Sequence, residues 1–243
     1  NSEGLPLIGS KEGIMHICMT FLNQGDKVLV PNPGYPTYSA AVRLAGGEMV
    51  TYALNKETNF YPDFEAIEAA GLEGVKMMLV NYPNMPTGAR AQRETYERLV
   101  DFALRHNIIV VNDNPYSLIL NEGERLSILQ IPRAKEGCIE FNSMSKSHNM
   151  PGWRVGMLAP NAQFVQWILK VKSNIDSGTF RAIQLAAAQA FENEDEWHIR
   201  ANVEVYAARR ARAEEIMRVL GCTFDTSQVG MFLWGRIPES YAE

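Results

Sequence analysis

The sequence predicts an α/β fold built on a mainly parallel sheet, and three observations carry that reading. Strand-like and helix-like stretches alternate over most of the first 160 residues, as chains of βαβ units do. The runs Val75 to Val80 and Ile108 to Val111 are apolar apart from Lys76, as expected of strands buried on both faces. Both are followed by loops rich in Asn, Pro and Tyr, which no regular element would hold.

The elements follow in order. Ser10 to Leu22 predicts a helix, because Ile14, Ile17, Cys18 and Phe21 recur at helical spacing. Gly9 and Ser10 stand at its start, where small and capping residues belong. Its first turn offers free N–H groups and the positive end of a dipole, a ready anion site. Ser10 and Lys11 add a hydroxyl and an ammonium. Taken alone, this is also what an ordinary helix cap beside a surface lysine looks like.

A turn at Asn23 to Asp26 precedes a strand from Lys27 to Val30, and Pro31 to Gly34 forms a rigid loop. Tyr35 is set on that loop. Tyr38 follows within a helix expected over Pro36 to Ala45. Glu48 to Leu54 reads as a strand, and Asp63 to Ala69 as a short helix capped by Asp63. After the strand Val75 to Val80 comes the loop Asn81 to Gly88, then an amphipathic helix from Arg90 to His106. Ile108 to Val111 leads into Asn112 to Tyr116. Cys138 to Phe141 and Val155 to Ala159 flank Lys146 as strands. In parallel sheets ligands bind beyond the carboxyl ends of the strands. Tyr35, the Pro86–Gly88 loop, Asp113 and Ser143 to Lys146 all follow such an end.

Beyond Pro160 the character changes to helices, expected over Asn161 to Asn174, Thr179 to Glu194 and Glu196 to Leu220. Cys222 to Arg236 reads as strand-like. The expected division is a large domain over residues 1–195, a long connecting helix over 196–220 and the beginning of a smaller α/β domain over 221–243. The chain opens on NSEGLPLIG, already close to a motif, and closes soon after a strand-like run. Both ends are therefore expected to be cut from a longer protein.

Composition excludes several classes. The 243 residues are 46% apolar and 21% charged, an ordinary globular mix. A net charge of −5 without a basic run argues against nucleic acid as a partner. No apolar run reaches transmembrane length and no signal-peptide pattern opens the chain. Cys18, Cys138 and Cys222 are widely spaced and form no CxxC pair, so neither a metal site nor a disulfide framework is expected. A reducing cytoplasm is the expected compartment.

The chemistry centres on the stretch Ile139 to Leu158. Lys146 stands among Ser143, Ser145 and Ser147, and Arg154 follows eight residues later. Alone, a lysine among serines is a solvated loop residue. Beside Asp113, Tyr116, Tyr35, Arg154 and the Ser10 helix start it gains partners of another kind. A lysine amine can form a Schiff base with an aldehyde. A buried carboxylate can hold a protonated ring nitrogen, and an arginine with a helix N-terminus can hold a phosphate dianion. Those are the requirements of pyridoxal 5'-phosphate.

The motifs SMSKSHNMPGWRVG at 143–156, NDNPY at 112–116, PNMPTG at 83–88, PGYPTY at 33–38 and GSKEGI at 9–14 together resemble the fold-type I, class I/II aminotransferases. Within that family the chain looks most like the LL-diaminopimelate and alanine/aspartate aminotransferase-like branch. The resemblance implies a three-layer sandwich around a mainly parallel mixed sheet. It implies that Lys146 carries the cofactor and shuttles a proton, that Asp113 pairs with the ring nitrogen, and that Tyr116 bonds the ring oxygen. It further implies that Tyr35 stacks on the ring, and that Ser10, Lys11, Ser143, Ser145 and Arg154 bind the phosphate.

One departure stands out. The family usually has asparagine before Pro-Thr-Gly, bonding the same ring oxygen as Tyr116; here Met85 stands there. A thioether is a weak acceptor and donates nothing. Asn84 lies one position early.

The expected activity is amino transfer from an α-amino acid to an α-keto acid, with no metal. The alternatives are a C–S β-lyase or decarboxylase on the same scaffold, or a non-catalytic regulator that keeps the fold. The resemblance also implies a homodimer, with Asn174 to Thr179 near the partner's cofactor. It places the arginine that clamps the substrate carboxylate beyond the last residue of this chain.

Overall fold

Apolar residues that alternate between two faces need a cover on each, and the strands of this chain receive one. The computed structural model describes residues 3–241. Seven strands form the main sheet: β1 (Leu5–Leu7), β2 (Lys27–Asn32), β3 (Glu48–Ala53), β4 (Val75–Val80), β5 (Ile109–Asp113), β6 (Cys138–Ser143) and β7 (Gly156–Ala159). Their order is β1-β7-β6-β5-β4-β2-β3. Neighbours from β3 to β6 are parallel, whereas β7 is antiparallel to both β6 and β1. The sheet is therefore mixed but mainly parallel.

The helices lie on both faces. Along β4, Met77 and Leu79 enter one apolar core, and Met78 and Val80 the other. On the first face those side chains join Ile14 and Ile17 of α1 (Ser10–Phe21), Val42 of α2 (Pro36–Leu44) and Ile168 of α6 (Ala162–Lys172). The second face packs Phe64 of α3 (Phe64–Ala69) with Tyr96, Leu99 and Phe102 of α4 (Arg93–His106). This is the three-layer sandwich that the family resemblance implies. Burying one Leu- or Met-sized side chain contributes about 1.5–3 kcal/mol, so the period-two pattern holds the register of the sheet.

Caps set the helix starts. Asp63 accepts from the Ala66 N–H at 3.0 Å, and Asn161 accepts from the Phe164 N–H at 2.8 Å. Helix α4 ends on Asn107, which takes the left-handed conformation common at helix ends (φ 52°).

Three features differ from the sequence reading. Strand β1 was unforeseen, because three residues containing Pro6 carry no strand signal; it forms by pairing with β7. Lys146 does not sit on an open loop but in a one-turn helix, α5 (Met144–Ser147). Cys222 to Arg236 is not one strand. Only β8 (Thr223–Phe224) and β9 (Gly235–Arg236) pair, as a separate two-stranded sheet. The chain between them bonds instead to the loops of the large sheet: the Val229 N–H reaches the Gly88 carbonyl and the Gly230 N–H reaches the Ile119 carbonyl, each at 2.9 Å.

Beyond α7 (Arg181–Glu192), the expected long helix runs from α8 (Glu194–Arg200) through a π-helical stretch, Ala201–Tyr206, into α9 (Ala207–Val219). The wide turns coincide with an anchor. The Asn202 side chain accepts from the Leu120 N–H at 3.0 Å and donates to the Leu118 carbonyl at 2.9 Å. Among the described residues, no helix is long and apolar enough to cross a membrane.

Candidate active site

The carboxyl ends of β2, β4, β5 and β6 and the start of α1 enclose a cavity of about 420 Å³. All nine residues singled out from the sequence line it: Ser10, Lys11, Tyr35, Asp113, Tyr116, Ser143, Ser145, Lys146 and Arg154. Tyr38, Asn81, Met85, Pro115 and Pro151 complete the wall.

Helix α5 presents Lys146, and both its ends are held. The Ser143 hydroxyl accepts from the Ser145 N–H at 3.2 Å and donates to the Val155 carbonyl at 3.4 Å. The Ser147 hydroxyl donates to the Ser143 carbonyl at 3.1 Å. From outside, the Trp197 indole N–H donates to the Ser147 carbonyl at 2.9 Å. One isolated helical turn is unstable in water; these bonds replace the missing turns and leave Lys146 half-buried at the cavity wall.

Asp113 ends β5 and is almost fully buried. Its Oδ2 accepts from the Tyr38 hydroxyl at 3.0 Å, and its Oδ1 has no partner. Burial pushes its carboxyl up to about 6, with the Tyr38 bond opposing the rise. A buried acceptor without a partner costs on the order of 1–3 kcal/mol. A cationic N–H presented inside the cavity would remove that cost.

The neighbours of Asp113 face the other way and anchor the strand. Asn112 Nδ2 donates to Glu140 Oε2 and to the Tyr96 hydroxyl, each at 3.0 Å. The Tyr82 N–H donates to Asn112 Oδ1 at 3.1 Å. This tethers the loop after β4 to the end of β5.

That loop settles the place of its asparagines. Asn81 accepts from the Met85 N–H at 2.6 Å, and its amide donates to the Asp113 carbonyl. Asn84 donates to the Asn81 carbonyl at 3.1 Å and accepts from the Thr87 hydroxyl at 2.7 Å. Asn84 therefore does not take over the role of the residue before Pro86. The side chain lining the cavity there is the Met85 thioether.

At the other end, backbone and arginine interlock. Gly9 takes φ 78° ahead of α1, and a Cβ there would overlap the Arg154 guanidinium. Gly156 lets β7 approach, since its Cβ would lie 2.7 Å from the Ser10 nitrogen. Arg154 itself is left-handed, at φ 55°, a conformation costing about 1–2 kcal/mol. Its guanidinium donates to the Pro151 carbonyl at 2.8 Å and the Ile8 carbonyl at 3.3 Å. The result is a glycine-lined cradle of helix N–H groups with Lys11 and Arg154 beside it.

Aromatic rings form the remaining wall. Tyr35 packs edge-on against Tyr38, centroids 5.5 Å apart, and the Lys11 ammonium lies 5.8 Å from the Tyr35 centroid. Tyr116 meets Phe232 edge-on at 5.7 Å, and burial followed by the Asp113 charge pushes its hydroxyl pKa up. Sequence reasoning missed Tyr38 as a partner of Asp113. The available signal was its spacing, one helical turn after Tyr35 on the same face. Phe232 carried none, because only the docking of 225–234 brings it in.

Known proteins match this architecture along nearly its whole length. The chain is 45% identical over 242 residues to an LL-diaminopimelate aminotransferase of Dehalococcoides mccartyi, covering 99% of this chain and 62% of that relative. The substrate-bound BacF structure from Bacillus subtilis superposes with a TM-score of 0.93 at 32% identity, covering 99% of this chain and 61% of that one. A probable N-succinyldiaminopimelate aminotransferase from Thermus thermophilus gives 0.89 at 31% identity, covering 98% and 63%. The chain thus spans less than two thirds of the length of these relatives. The family model of aminotransferase class I and II matches residues 5–243, and the chain belongs to that family.

Proposed function

We propose that the cavity holds pyridoxal 5'-phosphate, the cofactor of this family, and that the protein moves an amino group from an α-amino acid to an α-keto acid. The observation that carries the reading is the unpartnered, buried Oδ1 of Asp113 in the same cavity as the Lys146 amine. A protonated ring nitrogen supplies the missing donor, and the cradle between Gly9 and Arg154 suits a phosphate dianion. When bound, the cofactor supplies an electron sink for a carbanion at the substrate's Cα.

The chain's own groups then divide the work. Lys146 would hold the cofactor through its amine, and that amine would move the proton at the substrate's Cα. Asp113 keeps the ring nitrogen protonated, and Tyr38 orients Asp113. Tyr35 supplies the stacking face, and Tyr116 donates to the ring oxygen. Ser10, Lys11, Ser145 and Arg154 hold the phosphate, while Ser143 lines the same wall with its hydroxyl already engaged in capping α5.

The relatives' names favour transamination over lyase, decarboxylase or regulator readings. LL-diaminopimelate is the first amino donor to test, because relatives 40–45% identical carry that substrate in their names. A homodimer is part of the proposal. The exposed side chains of Phe180, Leu185 and Ile199 support it as apolar surface suited to a partner. So is a cytoplasmic location, in keeping with cysteines that are all free. The division at residues 195 and 220 is proposed on the same footing, supported by the separate β8–β9 sheet.

Borohydride reduction after loading tests the core of the reading. Mass spectrometry should find the cofactor fixed to Lys146 in the wild type and absent from Lys146→Ala. Fixation elsewhere, or none in the wild type, would overturn it.

A further inference from the structure

Outside the cavity, four polar side chains gather where α1 crosses the end of α6. Lys172 is almost completely buried. Its ammonium donates to Glu12 Oε1 at 3.0 Å and to Asp176 Oδ2 at 2.5 Å. His16 packs beside them, its Nε2 3.6 Å from Glu12 Oε2. Glu12, His16 and Asp176 have the grouping of a metal site, but the ammonium of Lys172 already supplies the cation between the two carboxylates.

What makes this cluster more than a helix clamp is the other bond of Glu12. Its Oε1 also accepts from the Ile8 N–H at 2.7 Å. Ile8 precedes Gly9, the left-handed residue that starts the anion-binding turn. The Ile8 carbonyl in turn accepts from Arg154. The peptide groups on either side of Ile8 are therefore gripped, one by Glu12 and one by Arg154. Glu12 stands at the third helical position and reaches back across the turn, as in a capping box displaced by one residue. Lys172 donates to the same oxygen. Asp176 holds Lys172 from behind, and its Oδ1 accepts from the Gly178 N–H at 2.8 Å. The series runs from the phosphate cradle to the loop after α6 without a gap.

We propose that Glu12 and Lys172 are positioning residues for phosphate: they set the Ile8–Gly9–Ser10 turn so that its N–H groups converge on the cofactor's phosphate. The inference rests on the reading of that end of the cavity as the phosphate site. Neither residue lines the cavity. Their effect should therefore fall on the phosphate alone and leave the ring, the lysine and Asp113 as they are.

The test compares two probes on the full chain: pyridoxal 5'-phosphate, and pyridoxal, which has the same ring and aldehyde without the phosphate. Equilibrium dissociation constants for each give a phosphate preference. Lys172→Met should lower that preference roughly tenfold, the scale of one charge-assisted hydrogen bond, with pyridoxal affinity held within about twofold. Because that variant leaves Glu12 and Asp176 without their cation, the combination of Lys172→Met with Glu12→Met and Asp176→Asn serves as a second variant without a lone carboxylate in the cluster. It should show the same roughly tenfold loss rather than a product of separate losses, since the residues act as a unit. A preference unchanged in both variants would overturn the proposal. So would an equal loss for both probes, which would mark the cluster as general scaffolding. A wild type with no preference would instead overturn the phosphate reading on which it rests.

Discussion

The two ends of the cavity solve opposite problems. The ring end is under-determined: one buried carboxylate, one hydrogen bond from Tyr38, and an oxygen left without a partner. The anion end is over-determined. There Gly9, Gly156, Arg154 and Glu12 interlock so closely that a single added methyl group overlaps a neighbour. The difference teaches where this molecule stores cost for a ligand. At the ring end the cost is electrostatic and a ligand can relieve it. At the anion end it is conformational, and the fold carries it whether or not an anion is bound. Relieving the first should stabilise the cofactor-free chain; adding to the second should destabilise it.

The largest expected effect is at Asp113. Its folded carboxyl is raised from 3.8 to about 6. The stability linked to its protonated form is fully present below pH 3.8 and is lost as pH rises through about 6. At pH 7 the charged, buried side chain then costs about 3 kcal/mol. Asp113→Asn should therefore make the cofactor-free chain more stable by about that amount at pH 7, with the gap closing near pH 4. Urea denaturation at the two pH values measures it. Saturating cofactor should narrow or reverse the order. An equal gap at both pH values would break the comparison.

The opposite sign is expected at the anion end. Gly9→Ala forces a Cβ into the left-handed conformation and against Arg154. It should lower stability by about 2 kcal/mol at every pH, read by the same denaturation series. A neutral or stabilising result would mean that the anion end is looser than its geometry.

Tyr38→Phe sharpens the ring end. Removing the hydroxyl takes away the bond that holds the Asp113 carboxyl down. The midpoint of the pH-dependent loss should move up by about one unit, visible in a carboxyl NMR titration. The smallest effect is expected at Met85. Replacing it with asparagine restores a donor at the wall beside Tyr116, and the visible cofactor band should titrate at lower pH in Met85→Asn than in the wild type. An unchanged titration would show that Met85 stands too far from the ring oxygen to matter.

Much of this architecture was legible in the chain. The apolar run at Val75 to Val80 and the capping Asp63 each matched the element that formed. Local signals sufficed because each depends on residues a few positions apart. The departures have a common cause. Strand β1 exists only because β7 pairs with it, and α5 only because Ser143, Ser147 and Trp197 bond its ends. The stretch from Cys222 to Arg236 had strand composition, yet its middle docks on the loops at Gly88 and Ile119. In the site, the sequence reading singled out nine of the residues that line the cavity but not what holds them.

The sequence by itself determined the alternation of strands and helices, the loops at the strand ends and the candidate site residues they carry, because periodicity, caps and motif spacing are local properties. Only the tertiary structure decided which groups are already committed. Asn84 is engaged within its own loop, while Asp113 keeps one oxygen without a partner. Glu12 meets Lys172 across 160 residues. Hydrogen bonding and burial are set by neighbours brought together through folding, and no spacing in the chain records them.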